Sequence, residues 1–140
     1  MLKKTLGFAV SAILLGVALP AFAATAPTAT QIACVGSAVN TREQSLDAGI
    51  TTLTQAQNAA YSARAGALAQ AYTLTSGNGA IRTAIRAAWT TFSAAMRTAR
   101  TAWQKTRSTA WATFRTTVKA CKAPAVATDS ANSSLDASGQ

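Results

Sequence analysis

The chain has 140 residues, with 13 Lys and Arg against 4 Asp and Glu, a formal net charge of +9 and no histidine. Alanine fills 35 positions and threonine 21, and charged residues make up 12%, about half the share of an ordinary soluble domain. The length allows one small domain. The missing histidine excludes Ser-His-Asp and Cys-His relays and imidazole metal sites, and four acids leave little for a carboxylate cluster.

Residues 1–23 read as a cleavable signal peptide. Lys3 and Lys4 form the positive n-region, Leu6 to Leu19 the apolar h-region, and Pro20 ends it before the small-x-small site Ala21-Phe22-Ala23. The apolar run of about 14 residues is shorter than the roughly 20 that a bilayer span needs, so cleavage after Ala23 is expected rather than an anchor. Cys34 lies too far beyond Pro20, and behind Gln31, for a lipoprotein site. These features place the protein beyond the cytoplasmic membrane, in the periplasm, the cell envelope or the medium. Residues 24–36 lack periodicity and read as a flexible segment.

The mature chain keeps two cysteines, Cys34 and Cys121, and in an oxidising compartment an even pair most simply forms one disulfide. The strongest turn signal is Ser76-Gly77-Asn78-Gly79, and the cysteines lie almost equally far on either side of Asn78. A chain doubled back there brings both sulfurs level at the open end. Two unpaired thiols or an intermolecular bridge are the alternatives. Closing so long a loop stabilises the fold by roughly 4–5 kcal/mol in the chain-entropy model.

Both arms carry helical rather than strand periodicity. The first helix is predicted over about 38–75, with Thr41-x-x-Gln44 as a candidate capping box and a stripe through Val39, Leu46, Ile50, Leu53, Ala60, Leu68 and Ala71 that also takes in Gln57 and Arg64. The turn spans 76–79. The second helix is predicted over about 80–121, with Ile81, Ile85, Trp89, Phe92, Met96, Ala99, Trp103, Ala110, Phe114, Val118 and Cys121 on one face, and Pro124 stops it. Residues 122–140 read as a disordered tail. Ala88-Trp89-Thr90-Thr91-Phe92 recurs as Ala110-Trp111-Ala112-Thr113-Phe114, which regular spacing of large residues along one seam explains. The fold class is therefore all-α: two long antiparallel helices, a helical hairpin of coiled-coil type over residues 37–121, closed by a disulfide. Its core of large side chains is thin, so pairing of two hairpins into a four-helix bundle is the alternative to a lone hairpin.

Between residues 80 and 122 every charge is positive. Arg82, Arg86, Arg97, Arg100, Arg107, Arg115, Lys119 and Lys122 fall along one flank of the apolar face, and Lys105 lies apart. This ribbon is the candidate polyanion-binding edge, for nucleic acid, anionic lipid or an envelope polymer, since arginine forks suit phosphate and carboxylate. A solvated basic face that only keeps the protein in solution is the plain alternative. Trp89, Phe92, Trp103, Trp111 and Phe114 form an aromatic seam beside it, and Trp103 with Arg107 and Trp111 with Arg115 are spaced for cation–π stacking.

The layout resembles small secreted helical proteins of candidate-phyla (Patescibacteria-type) bacteria. The residues that carry the resemblance are Cys34, Val39, Arg42-Glu43, Arg64-Ala65-x-Ala67-Leu68, Ala88-Trp89, Ala110-Trp111-x-x-Phe114 and Cys121. It implies an exported bacterial hairpin and lends no activity, cofactor or catalytic residue. The sequence thus points to a non-enzymatic exported protein with no catalytic residues, no metal site, no cofactor and no small-molecule substrate. The expected role is binding of a polyanion through the ribbon. The alternative is a structural or adaptor protein whose Ala/Trp seam recruits a second copy or a partner helix. A membrane-surface role is a third, weaker reading.

Overall fold

The computed structural model describes residues 26–138. The expected signal peptide and its cleavage site lie outside the described residues. Two helices of 43 residues each, α1 (Ala29–Ala71) and α2 (Asn78–Ala120), run antiparallel and pack closely along their length. At 1.5 Å per residue each rod is about 65 Å long. There is no strand among the described residues, and the all-α hairpin is as the sequence predicts. Among the described residues no helix is long and apolar enough to cross a membrane.

α1 starts well before residue 38. Thr28 caps it: its hydroxyl accepts from the Gln31 backbone N–H while its own N–H donates to the Gln31 side chain at 2.9 Å. This capping box replaces the expected one at Thr41, which lies inside the helix with its hydroxyl bonded to the Ser37 carbonyl. Residues 29–36 are thus helical rather than flexible. The sequence concealed this because the buried stripe begins only at Val35. At the other end α1 closes at Ala71, and the connection runs over residues 72–77. Gly77 stands at φ 94°, a conformation that favours glycine, and Asn78 is already the first residue of α2 rather than the middle of the turn.

The seam between the rods repeats every eleven residues. In α1 the buried small residues are Ala38, Gly49, Ala60 and Ala71, and in α2 and its cap they are Ala88, Ala99, Ala110 and Cys121. Eleven residues make three turns at about 3.67 per turn, so such a stripe stays on the interface of nearly straight or slightly right-handed helices. The register is continuous: Cys34 faces Cys121, and fifteen residues along each arm Gly49 faces Thr106. Gly49 is required there. A Cβ would lie 2.8 Å from the Trp103 ring and 2.9 Å from the Thr106 methyl group.

The disulfide joins Cys34 and Cys121 with Cα atoms 5.8 Å apart, as the turn arithmetic predicts. Around it lies the main core, formed by Val35, Ala38, Trp111, Phe114 and Val118. The chain then leaves α2 through Lys122, at φ 52° in the left-handed region, a common way to end a helix before proline. The segment expected to be a disordered tail carries 3-10 turns at Ala125–Ala127 and Ser130–Asn132 and a short helix α3 (Ser133–Ser138). Polar side chains that reach the hairpin, described next, are what hold it, and no apolar periodicity marks them in the sequence.

Candidate binding face

The basic ribbon exists as a surface. Arg82, Arg86, Arg97, Arg100, Arg115, Lys119 and Lys122 are exposed along α2 and just past its end, and Arg107 is half-buried. α2 contains no acid, so nothing within its own helix neutralises the ribbon. The four acids are Glu43 and Asp47 of α1 and Asp129 and Asp136 of the tail. Of these, Glu43 and Asp129 are committed to Arg42, and Asp136 to Trp111.

The aromatic seam divides in two. Trp103, Trp111 and Phe114 are buried, Phe92 is half-buried, and Trp89 is 47% exposed. The expected stripe included Trp89 and omitted Trp111, and the structure reverses their burial. Trp111 is buried where the tail reaches it, its indole N–H donating to Asp136, and Trp89 lies about six turns nearer the connection.

Two groups of the same build occupy this seam. In the first, the Arg42 guanidinium lies 4.2 Å from the Trp111 ring centroid and 4.5 Å from that of Phe114. Trp111 and Phe114 meet edge to face at 5.7 Å and 88°. The second group lies about six turns further along the hairpin, towards the connection. There the Arg64 guanidinium lies 4.5 Å from Trp89 and 4.4 Å from Phe92. Trp89 and Phe92 meet edge to face at 5.9 Å and 90°. The repeat of the Ala-Trp-x-x-Phe motif on α2 is therefore matched by an arginine repeat on α1. Each arginine stacks across the interface on the rings of α2, and Arg64 also lies near Tyr61 of its own helix. The cation over Trp111 comes from α1 (Arg42), not from Arg115 as the i,i+4 spacing predicts. Sequence reasoning placed Arg64 in the stripe but not over these rings. The signal that finds it is the offset from Arg42 to Arg64, which equals the offset between the two copies of the motif.

The two groups differ in what covers them. Arg42 is 5% exposed; its Nε donates to Glu43 at 2.8 Å and its Nη2 pairs with Asp129 at 2.7 Å. Its Nη1 is buried without a hydrogen-bond partner. The Trp111 indole N–H donates to Asp136 at 2.7 Å. The Gln31 side chain donates to the Lys122 carbonyl at 2.7 Å and fixes where the tail begins. Asp129 is held below the ordinary aspartate value by a hydrogen bond from the Asn132 side chain and by the Arg42 guanidinium beside it, against the opposing effect of burial. At the second group Tyr61 packs on Phe92 at 5.0 Å, and Arg64 lies 5.0 Å from the Tyr61 ring. Tyr61 and Trp89 remain about half exposed there. No acidic side chain pairs with Arg64 among the described residues.

Next to this second group a cleft of about 390 Å³ opens between the helices, walled chiefly by alanines such as Ala63, Ala67, Ala84 and Ala87, with Arg64 and Phe92 also on its wall. Its polar wall residues are Arg64, Gln70 and Thr91, and the rest is apolar. Among the described residues no group of three or more His, Cys, Asp or Glu is placed to hold a metal. Comparison with protein-family models, with curated proteins and with solved structures finds no match for this chain.

Proposed function

We propose that this protein is an exported, non-enzymatic binding module whose basic face holds a polyanionic partner: extracellular nucleic acid, anionic lipid or an acidic envelope polymer. The observation that supports it most is the separation of charge. Seven exposed cations of the ribbon follow one rod of about 65 Å whose helix carries no acid; Glu43 and Asp129 are engaged by Arg42, and Asp136 of the tail, bonded to Trp111, comes near the ribbon beside Arg100. A linear array of this length suits a repeating anion, and binding would be electrostatic and insensitive to sequence. The disulfide fits an oxidising compartment. The test is retention of the oxidised protein on heparin or DNA. Affinity is expected to fall linearly on a log–log plot against salt, and to fall again when Arg82, Arg86, Arg97 and Arg100 are changed to Gln. Passage through the column at low salt removes the reading.

A second reading, an adaptor that recruits a partner chain, is favoured by a different observation. The turn half leaves Tyr61, Tyr72, Leu74 and Trp89 between 39% and 71% exposed. Sedimentation of the oxidised protein tests self-association. A strict monomer leaves recruitment of another chain as the form of this reading that survives.

A further inference from the structure

The hairpin contains one arginine–aromatic group that is closed and one that is open, and the closed one shows what closes it. At Arg42, Trp111 and Phe114 the covering element is the chain's own tail. It places one carboxylate on the guanidinium, Asp129 at 2.7 Å, and a second on the indole N–H, Asp136 at 2.7 Å. These carboxylates are seven residues apart in a segment otherwise made of Ala, Ser, Thr, Pro, Val, Asn and Leu.

The Arg64, Trp89 and Phe92 group reproduces the receptor half of that interaction. Its cation lies 4.5 and 4.4 Å from the two rings, against 4.2 and 4.5 Å in the first group. Its rings are 5.9 Å apart, against 5.7 Å. It is related to the first by a shift of six turns along both rods, about 33 Å, so both helices keep the same polarity and a covering segment would lie in the same direction. It also has more unmet charge. The residue after Arg42 is Glu43, which takes part of its guanidinium, whereas the residue after Arg64 is Ala65. Trp89 is 47% exposed where Trp111 is 6%.

We propose that the Arg64–Trp89–Phe92 group is a docking site for an acidic, tail-like segment of a partner polypeptide. One carboxylate of that segment pairs with Arg64, and a second acidic residue, spaced from the first as Asp136 is from Asp129, takes the Trp89 indole N–H. The chain's own tail is already held at Arg42, where its tether gives it a high effective concentration, so the occupant comes from another molecule. The site is distinct from the basic ribbon of α2, and its arginine is on the other helix. Failure on heparin leaves this inference standing, and failure of this inference leaves the ribbon standing.

The probe is a synthetic peptide with the sequence of residues 122–138, added to the oxidised protein labelled with ¹⁵N, with the indole N–H resonances of Trp89, Trp103 and Trp111 assigned through Trp→Phe variants. The Trp89 resonance is expected to shift in a saturable manner while that of Trp111 stays in place. The R64Q variant is expected to weaken this response at least tenfold. A peptide carrying D129N and D136N is expected to weaken it by a similar factor on the unaltered protein, which keeps the test independent of any effect of R64Q on folding. No shift of Trp89 at millimolar peptide overturns the proposal. So does a shift confined to Trp111, an equal response to the neutral peptide, or a Trp89 response driven by heparin and not by the peptide.

Discussion

The disulfide half and the turn half of this hairpin are built from the same eleven-residue layers, yet one is a core and the other a surface. Phe114 is 2% exposed, while Phe92, in the equivalent place, is only half-buried. Trp111 and Trp89 differ in the same sense. The rings and arginines are alike, so the difference lies in what flanks them: the Cys34–Cys121 bond, Val35 and Val118 on one side and the returning tail on the other. A two-helix interface buries one stripe per helix and leaves its edges wet. A third layer, even a short polar one, turns an edge into an interior.

The comparison can be broken in several ways, and the largest effect is expected at the disulfide. Replacing Cys34 and Cys121 by Ser should cost about 4 to 5 kcal/mol, since the bond closes a loop of 87 residues. Thermal unfolding followed by circular dichroism measures it. Next is the pair of phenylalanines. Phe114→Ala should cost about 3 to 4 kcal/mol and Phe92→Ala less than half of that, by denaturant titration. Equal losses would mean that the two layers are equally buried in solution.

The glycines sharpen the contrast further. Gly49→Ala drives a methyl group into Trp103 and should destabilise by about 1 to 2 kcal/mol after the gain in helix propensity. Gly66 has nothing within 4 Å of an added Cβ, so Gly66→Ala should stabilise by about 0.5 to 1 kcal/mol. Denaturant titration reads both. The smallest effect belongs to the tail. The carboxyl of Asp129 is lowered in the folded state by Asn132 and Arg42, so its contribution is present above the ordinary aspartate range and is lost as pH falls through the lowered value. Acidification should therefore release the tail and shift the Trp111 indole resonance, while that of Trp89 stays in place.

The path of the chain was legible because it rests on local chemistry that repeats. A glycine-flanked turn, two cysteines equidistant from it, and long Ala-rich arms without an interior proline leave few folds open. The start of α1 and the order of the tail were not legible. Thr28 and Gln31 cap one end within a stretch that looks aperiodic, and Asp129 and Asp136 are scattered polar residues until Arg42 and Trp111 are placed beside them.

At the candidate site the flank of cations on α2 was readable from spacing alone, because helical geometry fixes the angle between successive residues. Which arginine lies over which ring was not. Spacing paired Trp111 with Arg115 of its own helix, whereas packing set Arg42 of the other helix there. The sequence by itself determined the two rods, their direction and the bond that ties them, since turns, helical periodicity and loop closure act along the chain. Only the tertiary structure decided which of two like arginine–aromatic groups is sealed. Burial depends on what arrives from elsewhere in the molecule, and one tail covers one group.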